Sequence, residues 1–148
     1  MLLVDWGVNG PFYKSDLTRT MATRNISSKM REIYGIVLGA QQAAIRAIRP
    51  GVSAHEVDEA GRGFIARAGY GDYFGHGLGH GIGLQIHEGP MFRPGSQAIL
   101  EPGMIVTVEP GIYLSDWGGI RIEDDVLVTP GGCEVISQLP RDLESLFS

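Results

Sequence analysis

The acidic and imidazole side chains of this sequence fall mostly on stretches that read as β-strand or glycine-rich loop. These are the residues through which the chain could do chemistry. Asp5 and Asp16 lie on two runs, Leu2–Gly7 and Phe12–Thr20, separated by the turn residues Val8-Asn-Gly-Pro11. Beside Val4 and Leu17, each carboxylate would enter a half-buried surface; the alternative for each is to face solvent, as most Asp do. Glu109 closes the apolar run Met104–Val108 and precedes Pro110, a poor place for a merely solvated acid. Glu123 stands in Ile122-Glu-Asp-Asp125, and a run of three acids reads equally as an exposed turn. His76, His80 and His87 are three of the four histidines and fall within twelve positions, among glycines that let backbone approach a ligand. Gly-Leu-Gly between His76 and His80 suits a loop better than a helix. A lone histidine is usually a satisfied polar residue, whereas three so close favour a function; His55, on a capped helix surface, carries no such signal.

If Asp5, Asp16, Glu109, Glu123 and His80 converge, four carboxylates and one imidazole share a pocket. Without compensation such a set repels itself, and some of the acids must take up protons. Two divalent cations would offset the four negative charges. An oxygen-rich set with one imidazole and no thiolate suits Mn, Co, Fe or Zn at a catalytic site, not a structural cysteine-type zinc site. Two bridging carboxylates would hold such ions roughly 3.5–4 Å apart, with a shared water acidic enough to attack a carbonyl at neutral pH.

Positioning these residues requires a definite order of elements. After the first hairpin, Ile33, Val37, Ala40, Ala44 and Ile48 recur at helical spacing and predict a long helix over Ser28–Ile48 with one stripe against a sheet, stopped by Pro50-Gly51. Ser53-Ala-His-Glu56 is a capping box opening a second helix, with Val57, Phe64 and Ile65 inward and Gly69 as its stop. Gly75–Gly83 reads as a glycine-rich turn and Leu84–His87 as a short strand. Further strands are predicted over Met104–Glu109 and Ile120–Thr129, joined through Pro110-Gly111 and a hairpin at Trp117-Gly-Gly119. The order is hairpin, two helices, then more antiparallel strands, an α+β layout with helices on one face of a sheet.

The bulk properties narrow the field. A length of 148 residues fits one domain, and 43% hydrophobic with 20% charged residues can bury a core. The 22 glycines cluster at 69–83 and 111–132, where backbone meets a ligand or turns tightly. A net charge of −5 without a basic run argues against nucleic acid as a partner, and no apolar segment reaches the roughly 18 residues of a membrane span. One cysteine, Cys133, excludes an internal disulfide framework and suits a reducing compartment, so the expectation is cytoplasmic.

Taken in order, Val4-Asp-Trp-Gly7, Ser15-Asp-Leu-Thr-Arg-Thr20, Gly75-His-Gly-Leu-Gly-His-Gly-Ile-Gly-Leu84, His87-Glu-Gly-Pro90, Val108-Glu-Pro-Gly-Ile-Tyr113 and Gly119-Ile-Arg-Ile-Glu123 resemble the pita-bread metallopeptidases over essentially the whole chain. The resemblance is to their proline-specific branch, the Xaa-Pro aminopeptidases and prolidases. It implies an exopeptidase that hydrolyses the bond between an N-terminal residue and proline, using a metal-bridging water and two divalent ions per chain, Mn foremost and Co, Zn or Fe otherwise. Asp16 and Glu123 would bridge both ions, Asp5 would bind one, and His80 and Glu109 the other, with Glu109 also handling the water's proton. The resemblance places His87 at the scissile carbonyl and His76 at the proline side, both as catalytic and substrate-binding groups. Arg121 would touch substrate at the rim, and Thr18 and Arg19 would orient the carboxylates.

The same resemblance makes residues 1–148 a catalytic domain incomplete on its N-terminal side, whose partners are a proline-containing peptide and an upstream half that supplies another histidine. A sheet so bared would expose edges and an apolar face, favouring a homo-oligomer. Two other readings stand beside it. One is methionine aminopeptidase; the other is a non-catalytic peptide-binding or chaperone module of the same shape. Metal-free relatives of that kind would be expected to lack metal ligands, and none is missing here.

Overall fold

A computed structural model describes residues 1–23 and 25–145. β1 (Leu2–Asn9) and β2 (Lys14–Met21) form an antiparallel hairpin in which Asp5 faces Thr18 and Gly7 faces Asp16. Residues two apart share a strand face, so Asp5, Asp16 and Thr18 line one side of this ribbon.

Helix α1 (Ser28–Ala47) starts where the Ser27 side chain accepts the Met30 N–H, and its stripe of Ile33, Tyr34, Val37, Ala40 and Ala44 is buried. Helix α2 (Ala54–Arg67) opens with the predicted capping box, Ser53 and Glu56 bonding each other's backbone N–H. Gly51 (φ +85°) and Gly69 (φ +87°) take the left-handed turns beyond the two helices, a conformation glycine adopts without a Cβ penalty. The helices pack on each other, α1 also against the strands that follow and α2 against the strand Glu88–Phe92. No helix among the described residues is long and apolar enough to cross a membrane.

The later strands are β3 (Gly79–Gly81), β4 (Glu88–Phe92), β5 (Ile105–Val108), β6 (Gly111–Leu114), β7 (Gly118–Arg121), β8 (Asp124–Thr129) and β9 (Gly132–Val135). All pairings are antiparallel, in a five-stranded sheet ordered β4-β3-β5-β8-β9 and a separate β6–β7 hairpin. The α+β layout is therefore as expected, with three differences. The strands form three ladders and not one sheet. The run Ile120–Thr129 divides into β7 and β8, because the Glu123 N–H leaves the ladder and donates to the Thr18 carbonyl of the first hairpin (3.1 Å). Leu84–His87 is an exposed bend, with pairing starting only at Glu88, while the glycine-rich turn before it contains β3.

Close strand approach explains the glycines around His80. A β-carbon on Gly79 would collide with the Thr107 carbonyl oxygen, and one on Gly81 with that of Gly89. The sequence Gly79-His80-Gly81 thus carries one side chain between two positions that tolerate none.

Candidate metal centre

The three ladders meet at one point, and each delivers part of a cluster. The first hairpin brings Asp5 and Asp16. β3 brings His80, the end of β5 brings Glu109, and the break between β7 and β8 brings Glu123. Ligand atoms of Asp5, Asp16 and Glu123 lie within 4.8 Å of one another, as do those of His80, Glu109 and Glu123, and those of Asp16, His80 and His87. Glu123, Asp16 and His80 each belong to two of these groups, and of the three the two carboxylates have the pair of oxygens a bridging ligand needs.

His80 is nearly buried and its ring is fixed. Nδ1 lies 2.9 Å from the Gly81 carbonyl, which can only accept, so Nδ1 carries the proton. Nε2 then presents its lone pair toward Glu109 Oε1 at 3.3 Å and Asp16 Oδ2 at 3.9 Å. Lone pairs facing carboxylate oxygens call for a cation or a proton between them. Thr107 links the two elements: it accepts the His80 N–H (3.0 Å) and donates to Glu109 Oε1 (3.1 Å).

Electrostatics point the same way. Burial, and then the neighbouring Glu109, push the Glu123 carboxyl up to about 9. Burial, with smaller help from Asp16 and Asp5, pushes Glu109 up to about 7 against the Thr107 hydrogen bond and Arg121, and burial with Asp5 raises Asp16. Acids held this far above their ordinary range are short of positive charge. An oxygen-rich donor set with one oriented imidazole fits divalent Mn, Co, Fe or Zn, so the residues present fit the expected ions.

The surroundings hold several side chains named from the sequence and some that were not. Thr18 donates to Glu123 Oε2 (2.5 Å) and accepts from Arg121 Nε (3.1 Å). Arg121 also pairs with Asp5 and donates to the Tyr113 hydroxyl (3.3 Å), so it lies at the cluster and not merely at its rim. Arg19 is fully buried and reaches the Glu123 main-chain carbonyl (2.5 Å) and the Asp124 carboxylate (2.7 Å), not the Glu123 side chain. His76 is half-buried, its Nε2 2.9 Å from the Tyr113 hydroxyl. The His87 ring is exposed and stands edge-on to His80, centroids 4.4 Å apart. Asp5, His76, Gly77, Gly79, His80, Met91, Glu109 and Arg121 line a cavity of about 370 Å³.

Two expectations need correcting. The acids at 123–125 are not an exposed turn: Glu123, Asp124 and Asp125 are all buried, their carboxylates received by Thr18, by Arg19 with Arg141, and by the Asp16 N–H in turn. Asp5 is half-exposed and not sunk in a surface, since among the described residues little covers β1. Asp125, whose Oδ2 accepts the Asp16 N–H (3.2 Å), and Tyr113 were missed as site neighbours. Tyr113 stood in the quoted motif Val-Glu-Pro-Gly-Ile-Tyr, the one signal that could have found it.

Comparison with known proteins identifies the family and the fold. The sequence pattern of metallopeptidase family M24 matches residues 1–130. The Xaa-Pro dipeptidase of Pyrococcus furiosus is 46% identical over 143 residues, 97% of this chain and 41% of that protein. The prolidase structure from Pyrococcus horikoshii OT3 superposes with a TM-score of 0.93 at 43% identity, covering 95% of this chain and 41% of its own. An X-Pro aminopeptidase from Thermotoga maritima MSB8 gives 0.92 at 42% identity, covering 95% and 40%. The chain thus spans about two fifths of the length of these relatives, and its fold is the pita-bread fold of the prolidases.

Proposed function

We propose, from the premise that the chain belongs to metallopeptidase family M24, that it is the metal-binding part of a dinuclear exopeptidase releasing the residue before proline from Xaa-Pro peptides or dipeptides. The observation that carries this reading is the meeting of Asp5, Asp16, Glu109, Glu123 and the His80 Nε2 lone pair, with Asp16 and Glu123 each shared between groups. Two divalent ions held there supply electrophilic pull on the peptide carbonyl and acidify water at neutral pH.

In this assignment Asp16 and Glu123 hold both ions, Asp5 completes one set, and His80 with Glu109 completes the other. The Glu109 carboxyl, half-buried and bonded through Oε1 to Thr107, takes the proton of the attacking water and returns it to the leaving amine. His87, exposed beside His80, donates to the oxygen that gains charge; His76 faces the proline side of the cavity, and Arg121 steadies Asp5 and the substrate end. The relatives named as Xaa-Pro dipeptidase, prolidase and X-Pro aminopeptidase support the substrate class.

The test compares the 148-residue chain with the full-length parent protein, both loaded with Mn, on an Xaa-Pro dipeptide and a longer Xaa-Pro peptide. The parent releases the first residue, and the chain alone is slower by orders of magnitude for want of a complete pocket. In the parent, Glu109→Gln abolishes turnover while the fold persists, and His87→Ala lowers kcat more than it raises KM. A parent that binds metal and cleaves neither peptide would leave the non-catalytic module as the better reading.

A further inference from the structure

Helix α2 carries an ion pair that none of this chemistry uses, and it is fastened to the segment bearing His76. Asp58 is fully buried and Arg62 lies one turn on. Their fork is bidentate, Nε to Oδ2 and Nη2 to Oδ1, each 2.8 Å. The other bonds of the pair all end on one short stretch. Arg62 Nη1 donates to the Phe74 carbonyl (3.1 Å) and Nη2 to the His76 carbonyl (2.7 Å), while Asp58 Oδ1 is a second, longer acceptor (3.3 Å) for the Leu78 N–H, which bonds the Phe92 carbonyl at 2.8 Å. The guanidinium also lies 4.3 Å from the Phe74 ring centroid, and that ring meets the His76 imidazole edge-on at 4.9 Å. The carbonyls of residues 74 and 76 are therefore held by a single guanidinium, and residue 78 by its strand partner Phe92 with Asp58 beside it.

His76 has need of such a hold, since glycines 75 and 77 flank it and leave its backbone free to swing. Its Nδ1 lies 2.7 Å from the Gly77 carbonyl, an acceptor only, so Nδ1 bears the proton and Nε2 accepts from Tyr113. That tautomer persists only while the 76–77 peptide keeps its orientation. Burying the Asp58 charge costs desolvation that half-buried Arg62 offsets, so the pair adds little net stability by itself and its bonds to one loop are its evident contribution. The hold reaches one bond further, because the Leu78 carbonyl accepts the Glu109 N–H at 2.8 Å.

We infer that Arg62, anchored by Asp58, is a positioning residue for His76: it fixes the 74–78 backbone and with it the tautomer and direction of the imidazole presented to the cavity. The functional value of that orientation rests on the reading of His76 as a substrate-facing group; the orientation itself does not.

The experiment uses the chain labelled with ¹⁵N at histidine and at backbone amides. Wild type shows a single Nδ1-protonated tautomer for His76 and one resonance for the Gly77 amide, which belongs to the peptide whose carbonyl receives Arg62. Arg62→Gln and Arg62→Lys both give a tautomer mixture and move the Gly77 amide resonance, as loss of the hydrogen bond at the 76–77 peptide requires. Failure of lysine to rescue separates the fork from the charge. In the full-length protein, Arg62→Gln lowers kcat/KM on an Xaa-Pro peptide about tenfold, mostly through KM, with metal content unchanged. An unaltered His76 tautomer and Gly77 amide resonance in a folded Arg62→Gln protein overturns the inference. So does failure of Arg62→Gln, Arg62→Lys and Asp58→Asn all to fold, which assigns the pair to the core. Inactivity of wild type on every Xaa-Pro peptide sinks the peptidase reading instead, and the spectra, which need no substrate, still decide the positioning role.

Discussion

A carboxylic acid buried among other acids has two ways to shed repulsion, a proton or a cation, and the two respond to pH with opposite sign. Glu123 and Glu109 are raised to about 9 and about 7, above the ordinary value of 4.5. In chelated protein their contribution to stability is complete below about pH 4.5 and is lost as pH rises through about 7 and then 9. Metal-free protein is therefore expected to melt highest in mild acid and progressively lower toward pH 9. With Mn the trend reverses over that range, because the ions bind the deprotonated ligands and their binding free energy adds to folding. Melting curves with chelator and with Mn from pH 5 to 9 check this; coincident curves would show that the acids do not share a charge cluster. A second outcome belongs to Asp16. Because it joins two ligand groups, Asp16→Asn should abolish both ions in calorimetry, whereas Asp5→Asn should weaken chiefly one.

Between the residue and the molecule stands the buried support beneath Glu123. Asp124 receives Arg19 (2.7 Å), Gln41 (2.9 Å) and Arg141 (3.1 Å), and Arg19 also donates to the carbonyls of Thr18, Leu139 and Pro140. This joins β2, α1, β8 and the last described segment. Asp124→Asn leaves an arginine buried beside a neutral partner and should destabilise by about 3–5 kcal/mol. Ser53→Ala, which removes only a helix cap, should cost about 1 kcal/mol. Denaturant unfolding of both variants tests the ranking. The caps and stripes of the two helices were legible because they are local: Ser53 meets Glu56 three residues on, and Ile33 to Ala44 fall on one face. The split at Ile122–Glu123 was not, because the group that draws the Glu123 N–H out of the ladder is Thr18, more than a hundred residues earlier. The same distance hid the burial of Asp124 and Asp125, whose local pattern is that of a solvated turn. His80 and Glu109 could be nominated from spacing, while the roles of Asp58 and Arg62 look from sequence like an ordinary helix-surface pair.

At the scale of the molecule, the first hairpin leaves Leu2, Trp6, Val8, Phe12 and Tyr13 exposed, with Leu84 and Ile86 exposed as well. Such apolar side chains at an uncovered ribbon favour association, and a net charge of −5 opposes it only weakly. The isolated chain should sediment with concentration-dependent mass, and a Val8→Lys/Phe12→Lys double variant should shift it toward monomer; mass independent of concentration in wild type would count against this. The hairpin also joins the rest of the fold through Thr18 and Arg19, so that the candidate site and the exposed apolar ribbon share one element. The crowding around His80 has its own consequence, in the currency of mutational tolerance. In a library of single substitutions scored for folded, metal-binding protein, positions 79 and 81 should be among the most intolerant, with Ala failing at both. Neither residue has a side chain to lose. A reader ranking positions by chemistry would pass over them, and a reader ranking them by tolerance would find the site by its two silent neighbours first.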